Sequence, residues 1–160
     1  MALQRGHGMA GASQSDIHNL ARFRYAIRKF LRFSEEAARG TGLTPQQHQL
    51  LLGVTGFTGK GWATIGELAD FLQVRHHSVV GLVDRAVACG LVRRETNPDD
   101  RREVHISLAS DGARKLRALA EQHRKELLGM RRSFDLLYIE RDSAPKKVTR
   151  PQLTKGRRRG

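Results

Sequence analysis

The chain has 160 residues, enough for one domain of ordinary size with tails. Apolar residues make up 39%, and no stretch approaches the roughly 18 consecutive apolar residues of a membrane helix, so a wholly disordered chain and a membrane-spanning helix are both excluded. Twenty-nine Lys and Arg against 16 Asp and Glu leave a net charge of +13, which points to an anionic partner, nucleic acid before a membrane surface.

Residues 1–15 are rich in Gly, Ala and Ser, have no apolar run of the kind that opens a secretory leader, and predict a disordered arm. The first helix is expected over residues 16–39, capped by Asp16 and ended by Gly40 or Gly42. Ile17, Leu20, Phe23, Ile27, Phe30 and Leu31 follow the helical period, and Tyr25 and Phe33 widen the apolar surface. A helix of about 24 residues would be roughly 36 Å long. A small domain does not cover so long an apolar face alone, which suggests a second chain against it. The aromatic residues on it suit core or dimer surface.

Thr44-Pro45-Gln46-Gln47 is a capping box with proline at the first helical position, and it opens a helix through Leu50, Leu51, Leu52 and Val54. Residues 53–61 form a glycine-rich connector. Its spacing fails the phosphate-loop pattern, because Val54 and Gly61 stand where Gly and Ser or Thr are required. Thr64-Ile65-Gly66-Glu67 is a second capping box, starting a helix through Leu68, Ala69, Phe71 and Leu72. Residues 73–75 break the period. Val79, Val80, Leu82, Val83, Ala86 and Val87 then mark a further helix, stopped by Gly90.

After Gly90 the period changes. Residues 91–95 read as a short strand, Thr96-Asn97-Pro98-Asp99-Asp100 is turn chemistry, and Val104, Ile106 and Leu108 alternate with polar residues. Together they predict a β-hairpin with a charged tip. Residues 110–130 are again helical, and Phe134, Leu136, Leu137, Tyr138 and Ile139 predict a separate short apolar helix. The last 20 residues hold eight basic groups and one acidic group and predict a solvated tail.

The expected fold class is mainly α with a small β-hairpin: a helix-turn-helix over residues 64–90, followed by a wing. A recognition helix presents short polar or basic side chains near its N-terminus, and Arg75, His76, His77 and Ser78 occupy that place. Arginine can read guanine through two hydrogen bonds, and a helix N-terminus favours phosphate. Gly81, one turn on, offers no side chain for readout. Arg93 and Arg94 suit phosphate contact or support of the wing, and Arg101 and Arg102 sit at its tip beside Asp99 and Asp100.

Five landmarks in register resemble the MarR family (multiple antibiotic resistance regulators) of bacterial winged-helix transcription factors. They are Leu43-Thr44-Pro45-Gln46-Gln47, Thr64-Ile65-Gly66-Glu67-Leu68-Ala69, Leu82-Val83-Asp84-Arg85, Gly90-Leu91-Val92-Arg93-Arg94 and Asn97-Pro98-Asp99-Asp100-Arg101-Arg102. The resemblance covers residues 16–140. It implies dimerisation through residues 16–40 and 110–140 and DNA binding through residues 44–108. It also implies that Arg102 enters a minor groove, braced by Asp100. A homodimer would read a pseudo-palindromic operator in double-stranded DNA, and relatives often release DNA on binding a small phenolic or anionic ligand.

A cytoplasmic repressor is the expectation, with no cofactor, metal or membrane partner. No spacing supports an enzyme: a nucleophile elbow and a His-Glu-x-x-His pair are both missing. Adjacent His76 and His77 diverge by about 100° on a helix, which does not suit a shared metal. Cys89, the one cysteine, leaves no internal disulfide and reads as a small buried or half-buried residue rather than an oxidant sensor. Two other readings stay open: a winged-helix module that binds protein, and a non-specific nucleic-acid binder driven by the basic tail.

Overall fold

The computed structural model describes residues 12–97, 100 and 103–139, and of residues 132–139 the backbone alone. In order, the elements are α1 (Gln14–Gly40), α2 (Pro45–Leu52), a π-helical turn (Gly53–Phe57), β1 (Trp62–Ala63), α3 (Ile65–Leu72), α4 (His76–Ala88), β2 (Val92–Thr96), β3 (Val104–Leu108) and α5 (Ser110–Ile139). The three strands form one antiparallel sheet in the order β1-β3-β2. This is the expected mainly α winged helix-turn-helix with a small sheet.

Both capping boxes form. The Thr44 hydroxyl accepts the Gln47 N–H at 3.1 Å while Gln47 Oε1 accepts the Thr44 N–H at 2.9 Å. Thr64 and Glu67 repeat the exchange at 3.2 and 2.8 Å. Each box satisfies two backbone donors that the helix start leaves open, so each helix begins where its Thr stands. α1 differs from expectation. Ser13, not Asp16, is its N-cap, and Asp16 is the reciprocal acceptor three residues on, taking the Ser13 N–H at 2.8 Å. A serine followed three residues later by a carboxylate satisfies two donors, where Asp16 alone would satisfy one. Gly42, at φ +74°, lets the chain turn away from the end of α1.

The C-terminal segment is also corrected. Residues 110–139 are one 30-residue helix rather than two. Arg131, Arg132 and Ser133 carry no turn chemistry, so the backbone hydrogen bonds continue through them. Likewise the glycine-rich connector is partly built. Its first five residues make a π turn that buries Val54, and Trp62-Ala63 pairs with Ser107 and Ile106. A two-residue strand is too short to show a period, so it escapes a pattern reading.

The core lies within the helix-turn-helix and the sheet: Leu50, Leu51, Val54, Leu68, Val79, Val83 and Ile106 are fully buried. Of the two long helices, α1 contributes Ala38 and α5 Leu119. The outer half of α1 stays open, with Ile17, Leu20 and Tyr25 at 55, 58 and 67% exposure.

Candidate nucleic-acid interface

The tight turn before α4 depends on Gln73, which takes the left-handed conformation at φ 54°. Such a conformation costs a non-glycine residue roughly 1–2 kcal/mol. Here the Gln73 side chain donates to the Asp70 carbonyl at 2.6 Å and the Val74 N–H bonds Ala69 at 3.1 Å, which hold it. The turn aims α4 so that Val79, Leu82, Val83 and Ala86 enter the core. The opposite face of its first turn is left to solvent.

Arg75, His76, His77 and Ser78 are all exposed there, with Arg75 at the N-cap. The Arg75, His76 and His77 side chains make no hydrogen bond or ion pair among the described residues. Three unengaged nitrogen-bearing side chains at a positive helix end can take phosphate or the edge of a base. Gly81 follows one turn later, and a Cβ there would meet Arg85 Nη1 at 3.4 Å.

Arg93 and Arg94 are engaged. Arg93 Nε lies 2.7 Å from Glu95 Oε1 and donates to Ser107 Oγ at 3.0 Å. Arg94 reaches across to α4 and pairs with Asp84 at 2.6 Å. Both therefore brace the hairpin, one along the sheet and one onto α4. Asp100 lies in the hairpin turn, where its carbonyl accepts the Glu103 N–H at 2.9 Å. Arg101 and Arg102 lie outside the described residues.

Cys89 corrects the sequence reading, because it is exposed. It caps the end of α4, one residue before Gly90 at φ +68°, and the turn carries it to the surface. The Gln47 amide approaches its sulfur at 3.9 Å.

Three features carried no signal in the sequence. A groove of about 710 Å³ runs between α1, α2 and α4, bounded by Ser34, Glu35, His48, His77, Ser78 and Arg85. Its lining comes from distant parts of the chain. Behind it, His48 is 2% exposed, and burial, reinforced by neighbouring His123, lowers its pKa to about 4. His123 Nδ1 lies 2.7 Å from the Leu119 carbonyl, which only accepts, so that nitrogen carries the proton. Nε2 lies 2.9 Å from Ser34 Oγ, joining α5 to α1. The third feature is a stack at the sheet edge, where the Trp62 and His105 rings lie 3.5 Å apart and Lys60 Nζ sits 4.5 Å from the Trp62 centroid. Lys60 also donates to Glu67 at 2.8 Å, and that bond, with the Thr64 cap, holds the Glu67 carboxyl below the usual carboxylate range.

Residues 41–103, from before α2 to the residue preceding β3, match the family model described as MarR family. Over that segment the chain is similar to a MarR-family winged helix-turn-helix. Solved structures share the fold over most of the chain. A MarR family protein from Bacillus stearothermophilus is 24% identical, with 82% of this chain and 92% of that one covered at a TM-score of 0.65. AbsC, a MarR family transcriptional regulator from Streptomyces coelicolor, is 19% identical, covering 86% and 95% at 0.63. A mutant of MarR from E. coli complexed with operator DNA is 23% identical, covering 84% and 100% at 0.59. No curated protein matches the chain. In the MarR-type segment the matched residues run through the free face of α4, so the sequence landmarks and the exposed side chains fall on the same elements.

Proposed function

We propose that this chain is a transcriptional regulator that binds operator DNA in the cytoplasm as a homodimer, each subunit laying α4 in a major groove. The observation that carries the reading is the exposed set Arg75, His76, His77 and Ser78 on a helix whose other face is locked in the core. The solved complex of E. coli MarR with operator DNA supports it by likeness of fold. Arg102 is assigned to the flanking minor groove with Asp100 as its brace, and Arg93 and Arg94 support the hairpin strand that leads to it. The half-sites of a pseudo-palindrome would sit roughly 34–36 Å apart.

Repression by blocking promoter access, relieved by a small phenolic or anionic ligand, is part of the same proposal. The groove supports it, since a ligand between Ser34, His48 and Arg85 would touch His77 and Ser78 directly. A coupling of about 1–3 kcal/mol would weaken DNA binding 5- to 150-fold.

Selection of bound sites from random DNA at stated salt tests the reading. The expected result is a symmetric motif, with a narrower preference lost on Arg75→Ala. Recovery of no symmetric motif would overturn the operator. Binding that vanishes when residues 141–160 are removed would point instead to charge-driven, non-specific attachment, and function that survives Arg102→Ala with no DNA bound would point to a protein-binding module.

A further inference from the structure

The hairpin of the wing closes on a chain of side chains that the DNA-binding reading does not use. Where the strands enter its turn, the Asn97 N–H donates to the Glu103 carbonyl at 2.9 Å, and Asn97 Nδ2 donates to Glu103 Oε2 at 2.8 Å. The other carboxylate oxygen, Oε1, faces His105 Nε2 at 3.5 Å. That nitrogen is buried and makes no hydrogen bond, although the His105 side chain as a whole is 16% exposed. Its ring lies almost flat on Trp62, with an interplanar angle of 15°. Glu103 thus joins the β2 end of the hairpin to a histidine clamped against β1.

A buried nitrogen without a partner costs free energy. A neutral imidazole with its proton on Nε2 offers Glu103 a donor but no charge. The protonated ring offers the same donor with a full positive charge, so the carboxylate meets a cation that also lies on an indole face, the most favourable aromatic for such a contact. We propose that His105 is a positioning residue for the wing, and that its protonation tightens the Trp62–His105–Glu103–Asn97 brace and strengthens DNA binding. The coupling to DNA rests on the function proposed above.

Other charges surround the brace. From β2, Glu95 stands in register with His105, and Arg93 is paired to it. From the segment before β1, Lys60 lies against Trp62 and is paired with Glu67 of α3, which also carries Asp70. The π turn contributes no titratable group, and α5 begins with Asp111 paired to Arg114. Among the described residues, Glu103 is the acidic group that reaches the His105 ring.

Trp62 is the only tryptophan in the chain, so its emission reports on the brace without DNA. A protonated imidazole stacked on indole quenches it. Titration of the free protein from about pH 8 to about pH 5.5, where histidine changes charge, is expected to dim Trp62. His105→Phe keeps the stack and should abolish the transition. Glu103→Gln still accepts from Asn97 and should move the midpoint to lower pH. An unchanged titration in either variant overturns the brace.

Operator affinity is then measured at both ends of the range. Wild type should bind more tightly at low pH, and Glu103→Gln should lose up to about fivefold of that gain, the worth of a partly exposed ion pair. The remainder belongs to groups that this variant leaves in place. Equal pH dependence in wild type and Glu103→Gln, with the operator still bound, overturns the link to DNA. Wild type that binds no DNA at any pH would remove the proposed function instead, and the fluorescence titration would still decide the brace.

Discussion

Arg94 of β2 and Asp84 of α4 meet at 2.6 Å, so the wing is tied directly to the recognition helix. Both side chains are partly exposed, at 39% and 53%, and an ion pair in such a setting is worth less than about 1 kcal/mol of stability. Its consequence lies in aim. Arg94→Ala should leave the unfolding free energy nearly unchanged and weaken operator binding about fivefold, because a loosened support misplaces the wing. Asp84→Ala should do the same, and the double variant should lose no more than either single one. Additive losses would show that the two residues act separately.

Gly112 is required by close contact. A Cβ there would clash with the Leu91 carbonyl oxygen and lie 2.9 Å from the Leu91 carbonyl carbon, and backbone of this kind cannot turn aside. That carbonyl already accepts the Ala109 N–H at 3.0 Å, which seats the start of α5. Gly112→Ala should therefore destabilise the fold by at least about 2 kcal/mol. Gly129, in the same helix with open space around it, is the control, and Gly129→Ala should stabilise by about 0.5–1 kcal/mol. Urea unfolding of the two variants compares them directly.

His48 sets an acid limit on stability. Its folded pKa, lowered to about 4, lies below the unfolded value of 6.5, so the unfolded chain takes up the proton first. The contribution is complete above the unfolded value and is lost as pH falls toward the folded one, on the order of 3 kcal/mol in all. Denaturant unfolding from about pH 7 to about pH 4.5 should show this decline, and His48→Leu should flatten it. An identical decline in His48→Leu would assign the effect elsewhere.

The two long helices leave apolar side chains uncovered, Leu20 and Leu128 each at 58% exposure. The expected cover is a second copy of the chain. Sedimentation of the wild type should give twice the mass of one chain, and Leu20→Glu combined with Leu128→Glu should give a monomer with weakened operator binding. A wild-type monomer at working concentration would contradict the homodimer.

The local chemistry of this chain was legible in its sequence. A Thr three residues before Gln47 or Glu67 starts a helix wherever it stands, because the donors it satisfies are its own neighbours. Gly42 and Gly90 end helices for an equally local reason, a positive φ that a side chain resists. The same rules located Arg75 to Ser78 at a helix start. What they missed depends on residues far apart in the chain. Val54 is buried because α3 and the sheet close over the π turn, and Trp62 is a strand residue because Ser107 arrives beside it.

The charge of +13 pointed to an anion from the outset, but it did not say which arginines are free to meet one. Tertiary structure decided that. It engaged Arg93 with Glu95 and Arg94 with Asp84, and left Arg75 open at the end of α4. It also brought His48 to His123 and His105 to Trp62, pairs that no spacing announces. Capping and periodicity act between neighbours and are written in order along the chain. Ion pairing, burial and proton affinity depend on what folding places within a few ångströms, and they emerge only once the core has closed.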